Sequence, residues 1–416
     1  MEGFDLALEA RPAWRDGDYS HIPFWVYSDT ANYEAELRNI YKGPVWNYLC
    51  LTAELPKNGG YKATKIGETP VLVVRGEDGV LRGFLNRCSH RGALLCLEPR
   101  GSVKRLTCVY HAWSYDLEGN LKNVAFEDGA DGRGGMPDDF DKSRHGLRPI
   151  EVTEFCGLVF GSFDPKVPDI ETFLGPESVR FIKRALGKAP LKLIGRSTQV
   201  MHNNWKLYLE NVKDVYHATI LHLFFTRFRL NRLGHEGGII VSESGGHHVS
   251  YSKMDAERGN QDYASQDIRS TGEGFSLNDP TLLDSIDEWE DGITVQIQSV
   301  FPSLVIQVIQ NSIAVRQILP TAVDRTDLNW NFVGFEGDSE EMTRTRVKLN
   351  NLVGPSGYIS LEDGAIGGFV QRAIRGVEED SGVVRMGGDD VATVDYRATE
   401  TSVRGFWKMY RGLMGV

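Results

Sequence analysis

From about residue 46 to 163, short apolar runs rich in β-branched residues alternate with Gly, Asn and Asp. Residues 71–75 and 81–85 are two such runs, split by Gly76-Glu-Asp-Gly79, and 157–161 reads as the last. This texture predicts a small antiparallel β domain over 44–163. The flanks differ. Residues 31–41 have a helical pattern, and 164–190 read as a connection with a helix near 177–185. From Leu191 a larger unit begins, with strands predicted at 192–199, 238–242, 247–252, 292–301, 304–309, 312–319 and 329–334. A helix rich in aromatic and apolar residues is predicted over 204–223, and a polar one over 340–353, where Met342, Val347 and Leu349 form a partial stripe. A C-terminal aromatic helix closes the chain. Residues 255–278 are polar and Gly/Ser-rich, and predict a long loop over one face. The expected fold is α+β: the small β domain, and a larger α+β domain from 1–43 and 164–416 whose antiparallel sheet is flanked by helices.

Composition narrows the function. At 416 residues the chain is long enough for two or three domains. A net charge of -11 disfavours a nucleic-acid partner. No run of eighteen apolar residues predicts a membrane span. The first fifteen residues are broken by Glu2, Asp5, Glu9 and Pro12 and lack the pattern of a secretory signal. Five sparse cysteines argue against a disulfide framework. Together these features predict a cytoplasmic protein whose thiolates are free to bind metal.

Two constellations carry candidate chemistry. In the first, Cys88-Ser-His90 and Cys108-Val-Tyr-His111 each offer one thiolate and one imidazole, with seventeen residues between the pairs. Two cysteines for one iron and two histidines for the other make the ligand set of a Rieske [2Fe-2S] cluster. A zinc site is the rival, but zinc pairs usually group like residues at wider spacing. Gly92 allows the tight backbone such a loop needs. An aromatic hydroxyl from Tyr110 or Tyr115 is placed to reach a cluster sulfur, whereas Cys96 reads as a buried bystander.

The second constellation is Asp214, His217 and His222 on the predicted helix. Glu210, Asp214 and His217 are spaced to share one face. His222 lies five residues after His217, about 140° further round an ideal helix. The helix must therefore end or distort before His222 if both imidazoles serve one metal. Two histidines and a distant carboxylate form the facial triad of non-heme Fe(II) oxygenases. Spacing alone leaves Glu362, Asp363, Glu378, Glu379 and Asp380 as possible carboxylates.

Taken together, Cys88-x-His90-Arg91-Gly92, Cys108-x2-His111 and Glu210-Asn211-x2-Asp214-x2-His217-x4-His222 resemble the large subunit of Rieske ring-hydroxylating dioxygenases. The likeness extends to Val45-Trp-Asn-Tyr-Leu-Cys50, Glu362-Asp-Gly-Ala-Ile-Gly-Gly-Phe-Val-Gln371 and Arg397-Ala-Thr-Glu-Thr-Ser-Val-Arg-Gly-Phe-Trp407, and so covers nearly the whole chain. The resemblance implies a cluster in the first domain and a mononuclear Fe(II) in the second, with Asp363 as third ligand. It implies catalytic parts for Asn211 and Asp214. Dioxygen is the implied co-substrate, and electrons come from NADH through a separate reductase, since no G-x-G-x-x-G motif opens a helix here. It further implies a head-to-tail homotrimer, with or without three small β subunits. In that trimer Asp214 links His217 to His111 of the neighbour.

Substrate is suggested by Arg316, which sits in an apolar strand pattern on the face of Ala314 and Ile318. A buried guanidinium needs a partner. An aryl carboxylate would supply a bidentate one; a salt bridge to an internal acid is the plainer alternative. Arg397 is a second candidate for a carboxylate. The expected reaction is oxygenation of an aryl carboxylate to a cis-dihydrodiol, with terephthalate preferred and salicylate or anthranilate behind it. A non-catalytic Rieske electron carrier is the rival of another class, and 164–416 count against it. His247 and His248, as strand neighbours, point to opposite faces and predict no shared metal.

Overall fold

A computed structural model describes residues 14–228, 230–254, 263, 265–266 and 276–416. The first alternating region forms a seven-stranded antiparallel sheet. Its strands are β1 (Asn47–Leu51), β2 (Gly60–Ile66), β3 (Thr69–Arg75), β4 (Leu81–Leu85), β5 (Arg100–Ser102), β6 (Pro149–Phe155) and β7 (Leu158–Ser162), ordered β1-β7-β6-β4-β3-β2-β5. A three-stranded sheet of Leu106–Thr107, Ser114–Tyr115 and Leu121–Asn123 extends one end. Leu72, Val74, Phe84, Leu106, Tyr115 and Leu121 form the core between these sheets, with Cys88 and Cys108 at its edge.

The second sheet is also antiparallel and seven-stranded. It comprises β8 (Leu191–Met201), β9 (Gly237–Val241), β10 (His248–Lys253), β11 (Ile293–Val300), β12 (Leu304–Ile309), β13 (Ser312–Ala322) and β14 (Arg325–Phe335), in the order β8-β14-β13-β12-β11-β10-β9. Its two faces have different partners, as the period of two requires. Val305, Ala314, Ile318, Leu328 and Trp330 pack on the helices α1 (Thr30–Asn39), α4 (Trp205–Lys213) and α8 (Thr401–Met414). Leu304, Ile306, Val308, Ile313, Val315 and Val333 face β1, α2 (Ile170–Leu174) and α3 (Pro176–Leu186). The small sheet is hydrogen-bonded to this second face: Tyr48 N donates to Ser303 Oγ (3.1 Å) and Gln317 Nε2 donates to Tyr48 O (2.8 Å).

The predicted α+β class and strand set are found, with shifts at element ends. The helix expected over 204–223 is a correction. It stops at Lys213; a 3-10 turn, His217–Thr219, and α5 (Leu223–Arg227) follow. Asp214 is the C-cap, with ψ 112°, and its Oδ1 accepts from Tyr216 N at 2.7 Å. A short acidic side chain that captures a nearby backbone N–H competes with the helix ladder. Glu210, Asp214 and His217 therefore do not share a helix face. The required break before His222 is real, and it comes earlier than the helix pattern suggests. Two further helices follow the sheet, α6 (Glu340–Val353) and α7 (Ser360–Ala373), and α7 contributes to the site. Most of the polar stretch 255–278 lies outside the described residues. No described helix is long and apolar enough to cross a membrane.

Candidate active site

Cys88 and Cys108 open two matching loops. In the first, Cys88 N donates to Ala93 O (2.8 Å) and Gly92 N to Cys88 O (3.0 Å); in the second, Cys108 N donates to Trp113 O (2.9 Å) and Ala112 N to Cys108 O (3.0 Å). The fourth residue after each cysteine has positive φ: Gly92 at 77° and Ala112 at 55°. This repeated turn sends both thiols inward, where each residue is 2% exposed, while His90 and His111 stand at the tip with ring centroids 4.6 Å apart. His90 stacks on Trp113 at 4.7 Å, and Tyr115 Oη lies 3.2 Å from Cys88 Sγ. Burial, with Cys88 beside it, pushes the Tyr115 hydroxyl up to about 12, so it remains a donor. Cys96 is buried in the core, as expected, and all five cysteines are unpaired.

The second centre is built from three elements. His217 comes from the 3-10 turn, His222 from the N-cap of α5, and Asp363 from the first turn of α7. Among the described residues, these three form the group of histidine, cysteine or carboxylate side chains whose ligand atoms all lie within 4.8 Å of one another. Cys88 and Cys108 lie inward as one pair and His90 and His111 at the tip as another, the grouping that a two-iron cluster requires.

Asp363 Oδ1 lies 3.4 Å from His217 Nε2 and 3.1 Å from His222 Nε2. It is buried and makes no hydrogen bond, the state expected of an oxygen that faces a cation. Burial raises the Asp363 carboxyl, but the imidazoles overcome this and hold it well below the usual range. Burial likewise lowers His217, and Asp214 and Asp363 outweigh it and lift the ring to about 10. His217 Nδ1 lies 3.1 Å from Asp214 Oδ2, His222 Nδ1 2.7 Å from Glu362 Oε2, and Asn211 Nδ2 3.3 Å from His217 Nε2.

A cavity of about 570 Å³, its mouth included, opens on these groups. Val295, Ile297, Ile309, Phe225 and Ile359 give it apolar walls, and Arg316 and Arg397 line it too. Both arginines are 3% exposed. Arg316 lies 4.3 Å over the Trp330 ring and donates to Tyr208 Oη (2.5 Å) and to Gln307 Oε1. Arg397 donates to Asn231 Oδ1 and Arg232 O, both at 2.6 Å, and burial lowers its guanidinium to about 10. These partners are neutral, and Nε of each arginine has none. The plainer alternative for Arg316, an internal salt bridge, is not found among the described residues. Tyr208, Gln307, Trp330 and Asn231 were not legible as site residues, because their role depends on register and on loop packing.

His248 is the first residue of β10 and His247 precedes it, and the two rings take different partners. His247 Nε2 bonds Phe173 O, and His248 Nδ1 bonds Ser299 Oγ.

Residues 45–130 match the Rieske [2Fe-2S] domain, and residues 191–415 match the catalytic domain of ring-hydroxylating alpha subunits. This chain belongs to the ring-hydroxylating alpha subunits. Terephthalate 1,2-dioxygenase terminal oxygenase component subunit alpha 2 from Comamonas sp. is 54% identical, over 97% of both chains. The anthranilate 1,2-dioxygenase large subunit from Burkholderia cepacia is 42% identical, over 96% of this chain and 94% of its own. The salicylate 5-hydroxylase large oxygenase component from Ralstonia sp. is 37% identical, over 97% and 96%. Naphthalene 1,2-dioxygenase from Rhodococcus sp. shares the fold, with a TM-score of 0.79 at 22% identity over 95% and 94% of the chains. The alpha subunit is therefore the oxygenase component of a multi-component system. Its cofactors are a Rieske [2Fe-2S] cluster and a mononuclear iron; it takes electrons from a reductase and acts on an aryl compound.

Proposed function

We propose that this alpha subunit oxygenates terephthalate to a cis-dihydrodiol, with Arg316 and Arg397 each holding one carboxylate of the substrate. One observation carries the reading: two buried arginines with neutral partners line the same apolar cavity as His217, His222 and Asp363. A buried cation without an acid is costly, and a dicarboxylate answers two at once. The 54% identity to the Comamonas terephthalate enzyme subunit supports the choice.

Cys88, His90, Cys108 and His111 are our ligands for the cluster. His217, His222 and Asp363 are our ligands for iron, with Asn211 beside them. When bound, cluster and iron together supply electrons and the activation of dioxygen. The chain's own part is to bind, orient and exclude water. The arginines fix which ring edge faces the triad, since a planar fork matches a carboxylate in two bonds. The apolar walls keep competing water away from the ring. Asp214 holds the proton on His217 Nδ1, leaving Nε2 as a lone pair toward the metal. We assign 44–163 to the cluster and 1–43 with 164–416 to catalysis, in a cytoplasmic head-to-tail trimer whose NADH-dependent reductase is a separate protein. In that trimer Asp214 links the two centres across the interface.

Product analysis with an NADH-driven reductase and a panel of aryl acids tests the reading. Terephthalate should give dihydrodiol, and benzoate, salicylate and anthranilate much less. Faster turnover of a mono-acid would transfer the assignment to that substrate and leave Arg397 without a carboxylate.

A further inference from the structure

Each candidate iron histidine has two ring nitrogens, and one of them must be a bare lone pair to bind metal. What holds the proton on the other decides whether the ligand is ready. For His217 that group is Asp214, already discussed. For His222 the sequence singles out nothing, and Glu362 entered only as a rival to Asp363 for the iron. The two acids are adjacent in the first turn of α7, yet they reach opposite edges of one ring. Asp363 Oδ1 lies 3.1 Å from Nε2 and Glu362 Oε2 lies 2.7 Å from Nδ1. The His222 side chain is 3% exposed, whereas the Glu362 side chain is 35% exposed.

We propose that Glu362 is a positioning residue for His222: it accepts the Nδ1 proton, fixes the tautomer that bares Nε2, and holds the ring plane toward Asp363. Its place on the ring sets Glu362 apart from the three converging ligands. Its carboxylate is engaged on the Nδ1 edge, and the described group of converging ligand atoms contains Asp363 and not Glu362. Among the described residues, Nδ1 of His222 has this one hydrogen-bond partner. The aromatic edge of Phe225, with ring centroids 5.7 Å away at 89°, restrains the ring from another side but accepts no proton. One helical turn thus delivers a ligand and the clamp for its neighbouring ligand together. A displacement of α7 would disturb both.

The proposal rests on His217, His222 and Asp363 as iron ligands, and the test separates the two. Fe(II) alone is titrated into the iron-stripped full chain with its Rieske spectrum intact, and bound metal is counted after removal of free ion. In wild type, Glu362→Gln, Glu362→Ala and Asp363→Ala the Rieske spectrum serves as the measure of folding. Glu362→Ala should bind one iron with affinity weakened on the order of 10–100-fold, the range for loss of such a hydrogen-bond partner. Glu362→Gln keeps an accepting oxygen at the same reach and should recover part of that loss. Asp363→Ala should lose stoichiometric iron altogether. Wild-type affinity in Glu362→Ala would overturn the positioning role, and complete loss of iron there with retention in Asp363→Ala would make Glu362 the ligand instead. Retention in both would mean that the ligand set itself is wrong.

Discussion

Arg316 shows how much one side chain's surroundings decide. Its guanidinium is held by an aromatic face and two neutral oxygens, so its charge is aimed but not neutralised. Removing one partner of a desolvated charge pair typically costs about 2–5 kcal/mol. Arg316→Ala should therefore weaken terephthalate binding roughly 30-fold or more, at about 1.4 kcal/mol per factor of ten. Arg316→Lys should recover little, because an ammonium lacks the fork. Calorimetric titration on the iron-loaded protein checks this, and unchanged affinity would return Arg316 to a purely structural part. Asp214 is a second case. Its Oδ2 holds His217 Nδ1 at 3.1 Å while the side chain remains 23% exposed. Asp214→Asn should keep both metal centres but slow reoxidation of the reduced cluster in single turnover. A wild-type rate would show that the carboxylate carries no link between centres.

At the scale of elements, the site depends on how closely α7 approaches the end of β8. A Cβ at Gly367 would collide with Asn203 Nδ2, and one at Gly364 with Gln199 Nε2. Asn203 is fully buried, so it has little room to retreat. Gly367→Ala should cost about 1–3 kcal/mol by overpacking and should move Asp363 with its helix. A lower melting temperature together with weaker iron retention is the expected pair of results; iron retention unchanged at lower stability would mean that α7 shifts without Asp363.

The helix α4 has its own device. Glu210 accepts from Tyr27 Oη (2.9 Å) and Trp407 Nε1 (2.6 Å), which ties α4 to the N-terminal segment and to α8. Burial pushes its carboxyl up to about 7. A folded value above the unfolded one means that folding takes up a proton. The stabilisation is thus complete below the ordinary glutamate range and is lost as pH rises through about 7. Glu210→Gln should flatten the fall in melting temperature between pH 5 and 8. The same slope in variant and wild type would place that titration elsewhere.

For the whole molecule, the decisive feature is the large sheet that joins the two domains. Arg316 and the iron cavity lie on one face of β13, and Gln317, the next residue, bonds the small sheet on the other. In the head-to-tail trimer proposed above, the iron site of one subunit takes its electrons from the neighbour's cluster. Co-expression of His111→Ala subunits, which lack a cluster, with Asp363→Ala subunits, which lack iron, should then restore turnover that neither variant has alone. No activity in isolated mixed trimers would argue for transfer within a chain.

Local chemistry made much of this legible. Mixed Cys/His pairs, two histidines after an apolar helical run, and strands of strict alternation are properties of neighbours in the chain, and residue type and spacing suffice to read them. The end of α4 was not legible, because Asp214 stops the helix by a side-chain hydrogen bond that the apolar pattern runs straight through. Which of five downstream acids faces the histidines was open by spacing, and the family resemblance had to supply Asp363. Only the packing of α7 on β8 presents Asp363 to Nε2 and Glu362 to Nδ1 of one ring. Nor does any pattern say that Arg316 and Arg397 line the same cavity. One lies in mid-strand and the other before the last helix, and they meet because sheet and loop close around one apolar space. Residue type and local spacing were enough to name the donors and the strands of the two sheets. The tertiary structure decided which donors converge, since convergence is a matter of distances between segments far apart in the chain.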